Sequence, residues 1–363
     1  MSLHVTTAGR RLRAGIAVAG ALMIAAAACG GGGSTKAASS VGTSPSATQS
    51  STTPPKVYID ELTGLPTTEA QYNRPSLAVK IDNAPAARPQ AGLDKADLVF
   101  EVLVEGGLTR FLAVFHAPGT FDLGPIRSAR PVDGALLRAL HGGFFAFSGA
   151  ARGEIAPAQQ YSDADFIDDD LDNVPFFGVP GRYAPQDTFS TPTRLYDEAA
   201  RLHYREPHPP QLFTFSTKPL SGSPRVRAAS VYLSTYSYAT WTYDPATRRY
   251  LRSEDGTPHL AADGVRISAA DVVIMDVQVH TTNIIDAAGN EDPFDIAYGS
   301  GRMIVLRNGV EEVGHWKRPT VADPYTFTSA TGGPLPLKAG NIWVELVPHG
   351  GNFPSYGAVH LTR

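Results

Sequence analysis

The one cysteine of the 363-residue chain, Cys29, closes an apolar run that follows Arg10, Arg11 and Arg13. A basic start, an apolar stretch from Ala14 to Ala28 and the small residues Ala26-Ala27-Ala28 are the three parts of a secretory signal. The stretch is about 15 residues, short of the roughly 20 that a membrane span needs. With Cys directly after it, the pattern reads as a bacterial lipobox, in which residues 1–28 are removed and Cys29 becomes the lipidated N-terminus. A plain secretory signal cut after Ala28 is the rival reading, because a usual lipobox carries a branched residue where this chain has Ala26. Either reading constrains the fold. An exported chain with one cysteine closes no internal disulfide, so its body must be held by a buried core alone.

Residues 29–56 cannot supply that core. They run Gly30-Gly31-Gly32-Gly33-Ser34-Thr35 and on to Pro54-Pro55-Lys56, and read as a flexible tether. As a random coil it would span on the order of 30 Å, and about 90 Å fully stretched. Signal removal takes away three of the 31 basic residues and none of the 35 acidic ones, moving the formal charge from −4 to −7. That balance speaks against nucleic acid and against a polybasic grip on anionic lipid.

The remaining 300 or so residues suit one large domain or two ordinary ones. Gly and Pro are frequent at 35 and 29, charged residues are few at 18%, and no fixed-period repeat occurs. The softest boundary is Thr217-Lys218-Pro219-Leu220-Ser221-Gly222-Ser223-Pro224. The expectation is an α+β fold of two domains: a mixed α/β N-terminal domain at 57–216 and a mostly antiparallel β C-terminal domain at 217–363.

Ser76–Ile81, ending in Asp82-Asn83, reads as a strand, as do Leu98–Glu105 and Thr109–Phe115 around Gly106-Gly107. A two- or four-residue hairpin loop puts Arg110 on the sheet face of Glu101 and Glu105, whereas a three-residue loop puts it on the opposite face. We expect a Glu101–Arg110–Glu105 cluster on one face, either a solvated surface or the floor of a polar site. The two glutamates stand roughly 13 Å apart along the strand, too far to share a proton and beyond the spacing of glycosidase carboxyls.

Next comes Gly124-Pro125-Ile126-Arg127-Ser128-Ala129-Arg130-Pro131, with Pro131 suited to the first turn of a helix. Arg127 and Arg130 beside that helix start suggest an anion site, or else pair with Asp122 and Asp133. Phe144–Ser148 reads as a buried strand, and Asp163–Asp172 as a solvated acidic loop without calcium-loop spacing.

The stretch Val79-Lys80-Ile81-Asp82-Asn83, Ala87-Arg88-Pro89-Gln90, Ala96–Glu101 and Glu105–Phe111, followed by Gly124–Arg130, resembles the YerB-like lipoprotein family. Later segments fall in the same order: Trp241–Asp244, Tyr250 with Arg252, Asp271–Ile274, Trp316-Lys317 and Trp343. The resemblance implies a two-domain, membrane-anchored α+β lipoprotein of Gram-positive type, and no activity. The chain departs from it at Pro185–Phe189 and near Phe147–Ala150.

In the second half, Met303–Arg307 and Val310–Lys317 around Asn308-Gly309 form the clearest hairpin, since Asn-Gly is the preferred type I′ turn. Asn341–Val347 adds another strand. Trp241, Trp316 and Trp343 are core aromatics or, in a sharper reading, a platform for sugar rings. Enzyme signatures are missing. No thiol nucleophile is left once Cys29 is lipidated, and neither Gly-x-Ser-x-Gly, Ser-x-x-Lys nor His-Glu-x-x-His occurs. No pattern calls for a metal or a cofactor. The expected function is therefore a lipid-anchored protein on the outer face of the cytoplasmic membrane that binds an envelope partner, either peptidoglycan glycan or a wall-synthesis or division protein. The alternative is an envelope hydrolase with an acidic and arginine-lined cleft and a divalent ion. Candidate ligand-binding residues are Asp82, Asn83, Arg88, Glu101, Glu105, Arg110, Arg127 and Arg130.

Overall fold

The computed structural model describes residues 56–363 except 151, 152, 154, 205, 206, 221, 287 and 355. Cys29, the signal and nearly all of the tether lie outside the described residues. The described residues form one compact unit.

The N-terminal half supplies β1 (Leu77–Asp82), β2 (Leu98–Leu103), β3 (Thr109–Phe115), α1 (Pro131–Leu137), β4 (Phe144–Phe147), α2 (Ile155–Tyr161), β5 (Asp165–Asp168) and α3 (Pro192–Arg201). The C-terminal half is nearly all strand: β6 (Ala228–Tyr232), β7 (Tyr238–Asp244), β8 (Arg249–Glu254), β9 (Asp271–Ile285), β10 (Glu291–Ile296), β11 (Gly299–Arg307), β12 (Val310–Arg318), β13 (Thr326–Ser329), β14 (Ile342–Gly351) and β15 (Ala358–Thr362). The fold is α+β, as the composition and strand patterning imply.

One eleven-stranded sheet crosses both halves in the order β13-β12-β11-β9-β14-β2-β3-β1-β4-β5, with β10 pairing β9. The halves meet where β14 runs parallel to β2, Ile342 opposite Leu98 and Glu345 opposite Glu101. A smaller antiparallel sheet, β8-β7-β6-β15, packs on one face through Val231, Trp241 and Tyr250, joined there by Leu195 of α3. The other face is covered by α1, whose Val132 and Leu136 meet Phe100, Val102 and Leu112. Both faces of the central strands are therefore buried, which is why β1, β2 and β3 read as nearly unbroken apolar runs. Trp241, Trp316 and Trp343 are 0%, 2% and 1% exposed, so all three belong to the core and none offers a sugar platform.

Three expectations need correction. The β2–β3 hairpin pairs Val102 with Arg110 and Glu101 with Phe111. Its loop is the three residues Glu105-Gly106-Gly107, closed by Val104 N–H donating to Leu108 O at 2.8 Å. Gly106 and Gly107 both take positive φ, 69° and 75°, which carries the chain through one residue more than a two-residue turn. Glu101 and Arg110 consequently lie on opposite sheet faces, and the expected three-residue cluster does not form. The acidic run is not wholly a solvated loop, because β5 pairs with β4 and Asp168 is buried, accepting from the N–H groups of Gly149 and Asp170. The helix at Pro131 forms, but its first turn is filled by its own Asp133, which accepts from Arg130 N–H at 2.7 Å.

Candidate functional site

Five of the eight candidate residues converge. Asp82, Glu105, Arg110, Arg127 and Arg130 line a cavity of about 460 Å³ at one end of β1–β3. Local pairing builds it. Asp82 ends β1 directly opposite Arg110 near the start of β3. The segment 126–129 wedges in where β1 and β4 part. Arg127 N–H donates to Lys80 O at 2.8 Å, Ser148 N–H to Arg127 O at 3.0 Å, and Ala129 N–H to Gly149 O at 3.0 Å. Residues 124–130 thus serve as a short strand substitute that aims two arginines at the strand ends. Beneath them the buried pair Lys80–Asp133, at 2.5 Å, ties α1 to β1.

The charges are unequally satisfied. Arg130 gives Glu105 two hydrogen bonds, at 3.0 and 2.7 Å, and lies 3.4 Å from Asp292. Burial would raise the Glu105 carboxyl, but Arg130 and Arg110 outweigh it and hold the group below its usual range. Arg127 pairs with Asp82 at 3.5 Å, and Asp82 also accepts from Gln186 and from Ala84 N–H. Arg110 differs. It is 7% exposed, donates once, to Ser128 O at 3.0 Å, and its buried Nε has no hydrogen-bond partner. Among the described residues it forms no ion pair. Burial and then the neighbouring Arg130 push its guanidinium down to about 10.

The other three candidates lie across the sheet. Glu101 accepts from Thr109 at 2.8 Å, Asn83 at 3.3 Å and Arg252 at 2.6 Å. Arg88 donates to Asn83, to Asp255 and to Glu254, reaching from the N-terminal half to the end of β8. Arg252, fully buried, stands 5.0 to 5.8 Å from the ring centres of Trp343, Phe111 and Trp241. Its remaining partners are Glu254 and His259. This is a joint between the two sheets rather than a cleft. Arg252 sits on the inward side of β8 with Tyr250 and Glu254 while Leu251 points outward, so hydrophobic alternation inverts and gives no hint of the joint. A divalent ion shared by Asp82, Glu101 and Glu105 is incompatible with this division across the sheet. Among the described residues no group of three or more His, Cys, Asp or Glu side chains is placed to hold a metal, and no helix is long and apolar enough to cross a membrane.

Comparison with known proteins places these features in context. Residues 62–205 match the family described as "Protein of unknown function (DUF3048) N-terminal domain", and residues 229–344 match the corresponding C-terminal domain. The chain is 29% identical over 295 residues to "Putative lipoprotein YerB" of Bacillus subtilis (strain 168), covering 79% of this chain and 85% of that protein. The crystal structure of YerB from Bacillus subtilis superposes with a TM-score of 0.70 at 26% identity, covering 84% of this chain and 99% of the other.

Proposed function

The chain belongs to the DUF3048 family, and from that premise we propose that it is a lipid-anchored extracytoplasmic protein that binds a cell-envelope partner through the cavity at Asp82, Glu105, Arg110, Arg127 and Arg130. The observation that carries this reading is the convergence of these five residues from three separate segments into one concave site. The lipobox at Cys29 and the similarity to a protein named as a lipoprotein support the anchor. The partner class is wall glycan or a wall-synthesis or division protein on the outer face of the cytoplasmic membrane. Binding has more support than hydrolysis. Glu105 is occupied by Arg130 and Asp82 by three donors, so neither stands free to take a proton from water.

Two measurements test the proposal. A photo-crosslinking residue in place of Gln186, at the cavity wall, should capture wall polymer or a discrete envelope protein in cells, and the same residue at Tyr243 should not. Equal capture from both positions, or none from either, refutes the cavity as the binding site. Labelled palmitate should enter the wild-type chain and be absent from Cys29→Ala; label persisting in the variant removes the anchor.

A further inference from the structure

Three guanidinium groups face one cavity, and they are not equivalent. Arg130 is committed to Glu105 and Asp292. Arg127 has Asp82 beside it. Arg110 has one hydrogen bond, to the carbonyl of Ser128, and no ion pair among the described residues, although more than nine-tenths of it is buried. A buried guanidinium with an unmade donor is costly to keep. Glu105 and Asp82 attract it, but among the described residues neither reaches ion-pair distance from it. Asp286 accepts from the N–H groups of Ala288 and Asn290 and from the Asn290 side chain. Asp82 and Glu105 are held as described above. The cavity's three acids match its three arginines in number, and Arg110 is the arginine that none of them meets at ion-pair distance among the described residues.

Resting on the cavity as the binding site, we propose that Arg110, assisted by Arg127 at the rim, seats an oxyanion of the ligand, a carboxylate or a phosphate. The planar guanidinium of Arg110 suits fork-like contact with such a group. Arg127 is 27% exposed in its side chain and flanks the opening, where it can close on the same oxyanion. The anion would also remove the repulsion between Arg110 and its two neighbouring arginines.

The test is thermal melting of the detergent-solubilised full-length protein in potassium phosphate or potassium acetate, against potassium chloride at matched pH and ionic strength. The expected result is a saturable rise in Tm with at least one oxyanion at millimolar concentration, with no saturable rise in chloride. A response to phosphate alone points to a phosphorylated polymer or headgroup, and a response to acetate to a carboxylate. Arg110→Gln should abolish the saturable rise, and Arg110→Lys should lose most of it because charge without the fork is not enough. Arg127→Gln, at the rim and safe for folding, should raise the half-saturating concentration about tenfold. Remote Arg225→Gln should leave it unchanged. No saturable rise with either oxyanion, or an undiminished one in Arg110→Gln and Arg127→Gln, overturns the seat. A protein that is captured through residue 186 yet ignores both oxyanions loses this inference and keeps the cavity reading. One that binds oxyanions and captures nothing keeps the seat and loses the envelope partner.

Discussion

Two arginines separated by the thickness of one sheet show how differently a buried cation can be used. Arg252 is enclosed by three aromatic rings and bonded to Glu101, Glu254 and His259, whereas Arg110 is left short of partners. Removing Arg252 strands several buried acids at once, including Glu345, whose carboxyl burial and Glu101 already push up. Breaking such a buried set costs about 3–5 kcal/mol. Arg252→Met should lower stability by that order in urea unfolding. Arg88→Ala, whose side chain is 21% exposed, should cost no more than about 1 kcal/mol. Equal effects would show that the joint is not held by Arg252. The assignment of these residues was only half legible. Glu101, Glu105 and Arg110 stand out in sequence as charges within apolar strands, but their grouping turns on loop length. One extra residue in a hairpin flips every following side chain, and the count at Glu105-Gly106-Gly107 is set by backbone geometry.

At the scale of elements, local signals read well and close approaches do not. Pro131 opens α1, and Asn308-Gly309 turns β11 into β12 with both residues at positive φ, 51° and 79°. Each is written within a few residues. Gly134 is different, because nothing near it in sequence shows that α2 lies against it. A Cβ there would stand 1.9 Å from Ala158 O of α2. Replacing Gly by Ala in a helix normally gains up to about 1 kcal/mol, while forcing helices apart costs about 1–3 kcal/mol or more. Gly134→Ala should therefore destabilise, by about 1–2 kcal/mol in equilibrium unfolding. A more stable variant would mean that α1 and α2 do not pack as described. Because α1 follows directly from Arg130, the same substitution should also weaken any ligand response of the cavity.

For the whole molecule, the notable quantity is the number of acids kept inside. Burial pushes the Asp97 and Asp271 carboxyls up to about 7 and that of Asp295 up to about 8. An acid with a raised folded pKa keeps its proton in the native chain where the unfolded chain has lost it. Native protein then binds more protons than unfolded protein, and stability falls as pH rises from about 4 to about 8. His116 acts in the same direction. Burial lowers it, but its pairing with Asp60 prevails and raises it, so its contribution is full below about 6.5 and is lost at higher pH. His259, pushed down to about 2 by burial and Arg252, opposes this below about 6.5 but is a single group. Tm should thus peak on the acid side, near pH 5, and decline towards pH 8. Asp295→Asn should flatten the upper part of that decline. A Tm that climbs between pH 5 and 8 contradicts the protonated interior.

The strand order has a consequence in time. β2 leaves the ribosome roughly 240 residues before β14, the strand it must lie beside, which at about 5–20 residues per second is a wait of roughly 12–50 s. Nothing local announces that partnership, and no part of the first half can complete the sheet in its place. Throughout the wait the nascent chain has an open edge and half a core. That unfinished condition is imposed by topology alone, before any chaperone acts.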